Sequence, residues 1–375
     1  MAYYKKKRIK FLIIILIFIV YFLVAARPVP KETVLSFNWI SSASSAHSQE
    51  PPANITGNPM PFTLGTRFGY VDTSGQFAVN RIKINDIYLS RNMWTEYNTE
   101  PVNITINNVL NNNEINIENP FGYPILLDNR VFILGSEQNS LSEISSNGNI
   151  LWTYEFGAPL TSIDAASGLV VTGSLDGTIE VFDSQGERIF DELIGGSRFS
   201  VILGCAISRN GSRIAVICGI DRQRFLLFER FSGSDGKYRI VYHEFLETGF
   251  RRPVRILFID DDQRIIFERE GGIGCYNIKT RRTLNIPLDG EIAAIDESGS
   301  NGYFFVITAH SFLQKQIIGI KFPQDRLFGI SKTAALDSIF LKAQFKSNDV
   351  FLGRTDPMLV IGGGTTLISF TLEEK

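Results

Sequence analysis

The side chains that most often carry protons or ligate metals are few in this chain, and they are scattered. His47, His243 and His310 are its only histidines, and none stands at the short spacing that brings two imidazoles onto one metal ion. Asp260, Asp261 and Asp262 form a run at a predicted turn where a divalent cation could bind, yet the further oxygen ligands of a calcium loop do not follow. A solvated turn is the expectation there. Cys205, Cys218 and Cys275 lie in apolar runs without paired spacing, which fits buried small hydrophobes, with a Cys205–Cys218 bridge as the alternative. Arg198, Arg251 and Arg252 stand apart from these. They fall in loops bearing Gly and Pro, and guanidinium groups brought together there would make an anion- or carboxylate-binding patch. Ordinary solvated arginines are the competing reading. No catalytic residue, metal ligand or cofactor is assigned.

The elements that must position such loops are strands. Apolar residues make up 44% of the 375 and charged ones 20%, enough to bury a sizeable core. The 29 Phe, with abundant Ile and Val, favour a pleated surface over helices. Formal net charge is −2, but Lys5, Lys6, Lys7, Arg8 and Lys10 all precede the first apolar run. Without them the chain holds 32 basic and 39 acidic side chains, a net of −7. A body of that sign does not attract phosphate backbones, so nucleic acid is not an expected partner.

Residues 11–24 are fourteen consecutive apolar side chains, extended by Ala25 and Ala26. As a helix, residues 11–26 would span about 24 Å against a hydrocarbon core of about 30 Å, with Lys10 and Arg27 snorkelling at its ends. This is read as a transmembrane anchor behind a cytoplasmic basic N-terminus at residues 1–10. Val24-Ala25-Ala26 also offers a cleavage site, which would make the run a signal peptide. Either reading sends the rest of the chain across a membrane, to the periplasm or the extracellular space. Residues 27–62 are rich in Ser, Pro, Ala and Asn and read as a flexible linker to a domain over residues 63–375. Glycosylation sequons at Asn54 and Asn103 matter only in a eukaryotic secretory pathway.

Repetition is clearest from Pro124 onward. Residues 124–156 and 161–193 align as four short strands separated by tight turns. Gly148, Gly186 and Gly236 mark the last turn of successive units at spacings of 38 and 50, and turns near Thr280 and Gln324 follow at 44 each. Weaker units flank these at residues 85–118 and 337–372. The pattern predicts an all-β ring of about seven four-stranded units, with six or eight left open. A ring must join its ends or leave edges unpaired, so the hairpin over residues 67–79 is expected to give the outer strand of the last unit. A β-sandwich is the alternative, but it needs longer cross-connections than these turns.

Residues 147–190 resemble the repeats of pyrroloquinoline-quinone-type β-propellers. They share a Gly turn, a strand carrying Trp152, and Gly-Ser-x-Asp-Gly before an alternating strand. WD-repeat propellers share the element at residues 173–179. The resemblance implies a β-propeller, with Asp176-Gly177 as a tight turn and Trp152 sealing the packing between blades. The quinone chemistry of such propellers would need a calcium site and a stacking Trp, and only Trp39, Trp94 and Trp152 exist. A sialidase-type Asp box is not matched by Ser174, Asp176 and Gly177, which lack the spacing and the Trp.

The expected function is therefore that of a membrane-anchored propeller serving as a protein-binding or scaffolding platform outside the cytoplasm. A place in cell-envelope assembly follows from resemblance to the propeller subunit of outer-membrane protein insertion machinery. Its partners would be another protein and, through the N-terminal helix, the membrane. The rival is an exported propeller enzyme of lyase or lactonase type with a small-molecule or metal site in its central channel.

Overall fold

Alternating apolar and polar side chains, broken every few residues by Gly, Asn or Asp, fold nearly all of the described chain into strands. The computed structural model describes residues 14–21, 32–44, 57–99, 101–231, 237–247, 249–322 and 338–374. Two compact units are distinguished, residues 37–371 and the chain ends 1–36 with 372–375.

The chain ends hold the first correction. The sequence predicts a transmembrane helix over residues 11–26, but among the described residues the helix there covers only 14–21. No described helix is long and apolar enough to cross a membrane. Lys5, Lys6, Lys7, Arg8 and Lys10, and the cleavage site at Ala26, lie outside the described residues.

The larger unit is a series of antiparallel sheets, each made of consecutive strands. β1 (Thr33–Ser42) comes first in sequence but pairs last. The first sheet has three strands, β2 (Met60–Leu64), β3 (Arg67–Val71) and β4 (Phe77–Ile82). The second is β5 (Asp86–Leu89), β6 (Met93–Tyr97), β7 (Asn103–Asn108) and β8 (Glu114–Glu118). The third is β9 (Gly122–Leu127), β10 (Arg130–Gly135), β11 (Ser140–Ile144) and β12 (Ile150–Glu155). The fourth is β13 (Leu160–Ala166), β14 (Leu169–Ser174), β15 (Thr178–Phe182) and β16 (Arg188–Leu193). The fifth is β17 (Ile202–Ile207), β18 (Arg213–Cys218), β19 (Arg224–Arg230) and β20 (Tyr238–Phe245). The sixth is β21 (Ile256–Ile259), β22 (Arg264–Arg269), β23 (Gly272–Asn277) and β24 (Arg282–Pro287). The seventh is β25 (Glu291–Ile295), β26 (Tyr303–Ala309), β27 (Gln314–Lys321) and β28 (Ile339–Lys346). The eighth is β29 (Val350–Thr355), β30 (Met358–Gly363) and β31 (Thr366–Glu374), with β1 as its outer strand.

Eight sheets replace the predicted seven. First strands of neighbouring sheets touch at β5 with β9, β9 with β13, β13 with β17, β17 with β21, β25 with β29 and β29 with β2, so they line the inner wall of the ring. Buried clusters fill the gaps between sheets: Val171, Val181 and Ile214 join the fourth to the fifth, and Ile273, Phe304 and Val306 join the sixth to the seventh. Trp152 seals the third against the fourth as its motif implies. Its ring stacks on Phe182 with centroids 6.1 Å apart, and its Nε1 donates to Glu143 Oε2 at 2.7 Å. Gly177, at φ +94°, makes the turn between β14 and β15, where a Cβ would lie 2.2 Å from the Ser200 carbonyl oxygen. Only glycine fits there.

Closure differs from the prediction. The hairpin over residues 67–79 does not complete the last sheet; it belongs to β3 and β4 of the first. β1 takes that place, inside the stretch predicted to be a flexible linker. Asn38 Nδ2 donates to Thr371 Oγ1 at 2.9 Å, and Ala43 N donates to Thr365 O at 2.8 Å. β1 also reaches the first sheet. The Trp39 indole donates to Thr73 O at 3.0 Å, Ser41 Oγ to Gly75 O at 2.7 Å, and Asn80 Nδ2 to Ala43 O at 2.9 Å.

The three-stranded sheet follows from direction. Met60, at the start of β2, lies against Gly353 near the end of β29, whereas Gly65, just past β2, lies against Asp349 just before β29. β2 is therefore antiparallel to β29. A reversed first strand needs an odd number of strands to deliver the chain to the side where β5 begins, and the link over residues 83–85 is then short.

The three cysteines are free and buried. Cys205 stands opposite Val216 and Cys218 opposite Ile202, so neither faces the other across the β17–β18 ladder.

Candidate functional site

A meander of four strands puts two kinds of loop on one side of the ring: those leading into each innermost strand, and those joining second to third strands. That side is called the front face here. The remaining turns form the back face.

Large apolar side chains left in water gather on the front. Ile84 is 83% exposed, Phe121 85% and Phe312 75%, and Val102, Leu175, Phe199 and Leu313 join them in front-face loops. Back-face turns of the second to eighth sheets expose only Leu110 and Phe231 among the described residues. Leu193 and Phe245 add exposed side chains where β16 and β20 end at the front, as Ile150 and Leu151 do where β12 begins at the back. A cleft of about 410 Å³ opens on the same face, lined by Thr66, Lys83, Ile84, Asp86 and Tyr97. A solvated surface gains nothing from such clustering, whereas a surface that a partner covers does.

The predicted arginines fall on this face. Arg198 lies between β16 and β17, and Arg251 and Arg252 lie between β20 and β21. The backbone and the Gln223 side chain bind these loops together: Ile220 N donates to Phe199 O at 3.1 Å, Leu246 N to Gln223 O at 2.9 Å, and Gln223 Nε2 to Phe250 O at 3.2 Å. Asp221 anchors the first loop by accepting from the Ser197 hydroxyl and from Arg198 N. The Ser197 bond holds its carboxyl down at about 2.

The three arginines are not equivalent. Arg252 is already paired, 3.1 Å from the buried Glu268 carboxylate and 4.2 Å above the Phe250 ring. Arg198 lies over Phe199 at 5.4 Å, and Arg251 points into solvent. Sequence reading missed two more cations on the same sheets. Arg222 and Arg224 both lie over the exposed ring of Phe245, at 5.8 and 5.7 Å. Arg224 directly before Phe225, with Arg222 two residues earlier, was the available signal. Among the described residues no carboxylate pairs with Arg198, Arg222 or Arg251.

The other residues singled out for chemistry stay apart. His243 lies in β20 and His310 in a turn of the seventh sheet, and His47 is outside the described residues. The Asp260–Asp262 carboxylates are taken by arginines: Asp260 pairs with Arg264 at 3.2 Å and Asp261 with Arg209 at 2.9 Å, and Asp262 accepts from Arg209 N. Among the described residues no three His, Cys, Asp or Glu side chains come together as a metal site.

Carboxylates do collect at the ring axis, a feature the sequence reading did not identify. Tyr88, Asp164 and Glu297 come from the second, fourth and seventh sheets, yet Tyr88 feels the charge of both carboxylates and Asp164 feels that of Glu297. Sheets that are not neighbours meet only at the centre. Burial pushes the Asp164 carboxyl up to about 6, against the pull of bonds from Ile207 N and Ala165 N. Burial likewise raises Glu297, with Arg255 opposing it. Asp164 has a structural task, since its Oδ2 accepts from Ile207 N at 2.8 Å and so joins β13 to β17. A lone carboxylate in the apolar inner strand β13 was the signal in the sequence.

Comparisons with known proteins agree with this architecture. An uncharacterized protein of Treponema pallidum (strain Nichols) is 26% identical over 287 residues, which are 75% of each chain. Among solved structures, the computationally designed Ika8 protein superposes with a TM-score of 0.58 at 13% identity, covering 87% of this chain and 98% of that one. BamB from Moraxella catarrhalis gives 0.55 at 12% identity, over 90% of this chain and all of that one. Likeness at such identities concerns the fold alone. A family model described as beta-propeller protein matches residues 1–375, and the chain belongs to that family.

Proposed function

We propose that this propeller is a protein-binding scaffold whose front face is the docking surface. The observation that carries the reading is the collection of exposed apolar and arginine side chains on that face. A protein interface is built from the same materials: aromatic and Arg anchors at its centre, with Lys and Glu depleted there. The ring supplies rigidity, because each loop is held between strands that pack against two neighbouring sheets. A role in cell-envelope assembly outside the cytoplasm belongs to the same proposal, by analogy of fold alone.

The test is a pair of double variants compared for the protein that co-purifies with the chain. Phe199→Ser with Phe245→Ser should lose that protein while keeping the wild-type unfolding midpoint, because both rings are already in water. Leu110→Ser with Phe231→Ser, on the back face, should retain it. Equal retention by both pairs would reject the front face as the docking surface.

A further inference from the structure

We propose that Arg198, Arg222, Arg224 and Arg251 form a docking site for an acidic, extended segment of a partner protein. The proposal rests on the front-face reading above and names the chemistry of what that face takes.

Charge complementarity carries the choice of occupant. Arg198, Arg222 and Arg251 have no carboxylate partner among the described residues, so each can offer a guanidinium without breaking an existing pair. Arg224 donates one nitrogen to the Gly195 carbonyl and holds its guanidinium over Phe245 beside Arg222. Asp221, beside them, already accepts from Ser197 and Arg198 N. Guanidinium forks donate paired hydrogen bonds to planar carboxylates, a match a point charge does not give.

The rings between the cations set the second requirement. Phe199 and Phe245 are half exposed and lie beneath guanidinium groups, so apolar side chains between the ligand's carboxylates would cover them. A uniform polyanion fits less well. The same face exposes Asp176, Glu192, Glu247 and Glu270 around the arginines, and these would repel a phosphate backbone running on past the patch. A short acidic segment with interspersed apolar residues meets both conditions.

Binding to the full chain is read by fluorescence anisotropy with three labelled probes. They are a short peptide of repeated Glu-Glu-Phe-Ser, the same peptide with Lys in place of Glu, and a single-stranded oligothymidylate. The acidic peptide should bind, its affinity should fall as salt rises, and the Lys peptide should not bind. In the triple variant Arg198→Ala, Arg222→Ala, Arg251→Ala its affinity should fall by at least about tenfold, or about 1.4 kcal/mol. All three side chains are exposed and none pairs with a carboxylate among the described residues, so the variant should keep the wild-type circular dichroism and unfolding midpoint. A wild-type chain that ignores the acidic peptide, binds it equally after the triple substitution, or prefers the oligonucleotide would overturn the proposal. If the co-purifying protein still depends on Phe199 and Phe245 while the acidic peptide fails, the front face stands and the acidic class falls.

Discussion

Replacing Arg354 with Met should cost about 3–5 kcal/mol of stability, the usual effect of breaking a buried ion pair by removing one partner. Arg354 leaves β29 and enters the gap between the seventh and eighth sheets. Its side chain is 1% exposed and Asp296, 3.2 Å away, is 0% exposed. Its guanidinium also meets Asp356 at 2.5 Å and donates to Tyr303 O at 2.8 Å and Ser300 O at 3.0 Å. One side chain thus fastens the turn after β25 to the sheet that closes the ring. Met fills similar volume but leaves a buried carboxylate and two carbonyls without their donor.

The loss should depend on pH in a definite direction. Burial already pushes Asp296 up to about 6 from 3.8, with Arg354 opposing the rise. Without Arg354 its folded pKa climbs further, while the unfolded value stays put. A carboxyl whose folded pKa exceeds its unfolded one binds more protons in the folded chain, so stability falls as pH rises between the two values. The Arg354→Met chain should therefore lie closest to wild type near pH 4 and fall furthest behind it above pH 7. Denaturant midpoints at the two pH values check this. A penalty independent of pH would mean that Asp296 is not the group left uncompensated.

Removing the chain through Ala43 should abolish the folded monomer. Without β1, the outer edge of β31 is unpaired, and an unpaired edge recruits strands from other chains. The seam between eighth and first sheets loses Ala43, fully buried, and Trp39, which packs on the Met60, Phe62 and Val360 cluster. Size-exclusion chromatography should show aggregates or no soluble protein. The milder Trp39→Ala should remain folded and lose about 2 kcal/mol, less than a full core truncation because the ring is partly exposed. A truncated chain that stays monomeric with an unchanged midpoint would show that β1 does not close the ring.

Why the count came out at eight rather than seven is instructive. Sheets three to six were legible because Gly148 and Gly186 recur in phase and each hairpin alternates cleanly between apolar and polar residues. The ends of the ring were not. β28 reads locally as the start of a new unit, although it pairs with β27 as the fourth strand of the seventh sheet. β1 and β2 lie in or beside a Ser- and Pro-rich stretch whose average composition hides two short strands. The partner of β1, β31, and the strand β2 packs against, β29, are some three hundred residues away, and local pattern does not encode contact at that distance. For the same reason the hairpin over residues 67–79 is legible in the sequence, but the sheet it joins is not.

The candidate site divides along similar lines. Arg198, Arg251 and Arg252 could be assigned to loops on one face from strand order alone. That Arg252 is spent on Glu268, while Arg222 and Arg224 crowd Phe245, depends on side chains from different sheets and needed three dimensions. The axial group of Tyr88, Asp164 and Glu297 arises only when the ring closes.

Site-specific photocrosslinking tests the claim that the front face is where this protein works. A photoreactive amino acid is placed in turn at Phe199, Phe245, Leu110 and Phe231 in chains expressed in their native cells. Crosslinks to one recurrent protein from Phe199 and Phe245, and none from Leu110 or Phe231, are the predicted result. Crosslinks from the two back-face positions alone would contradict it.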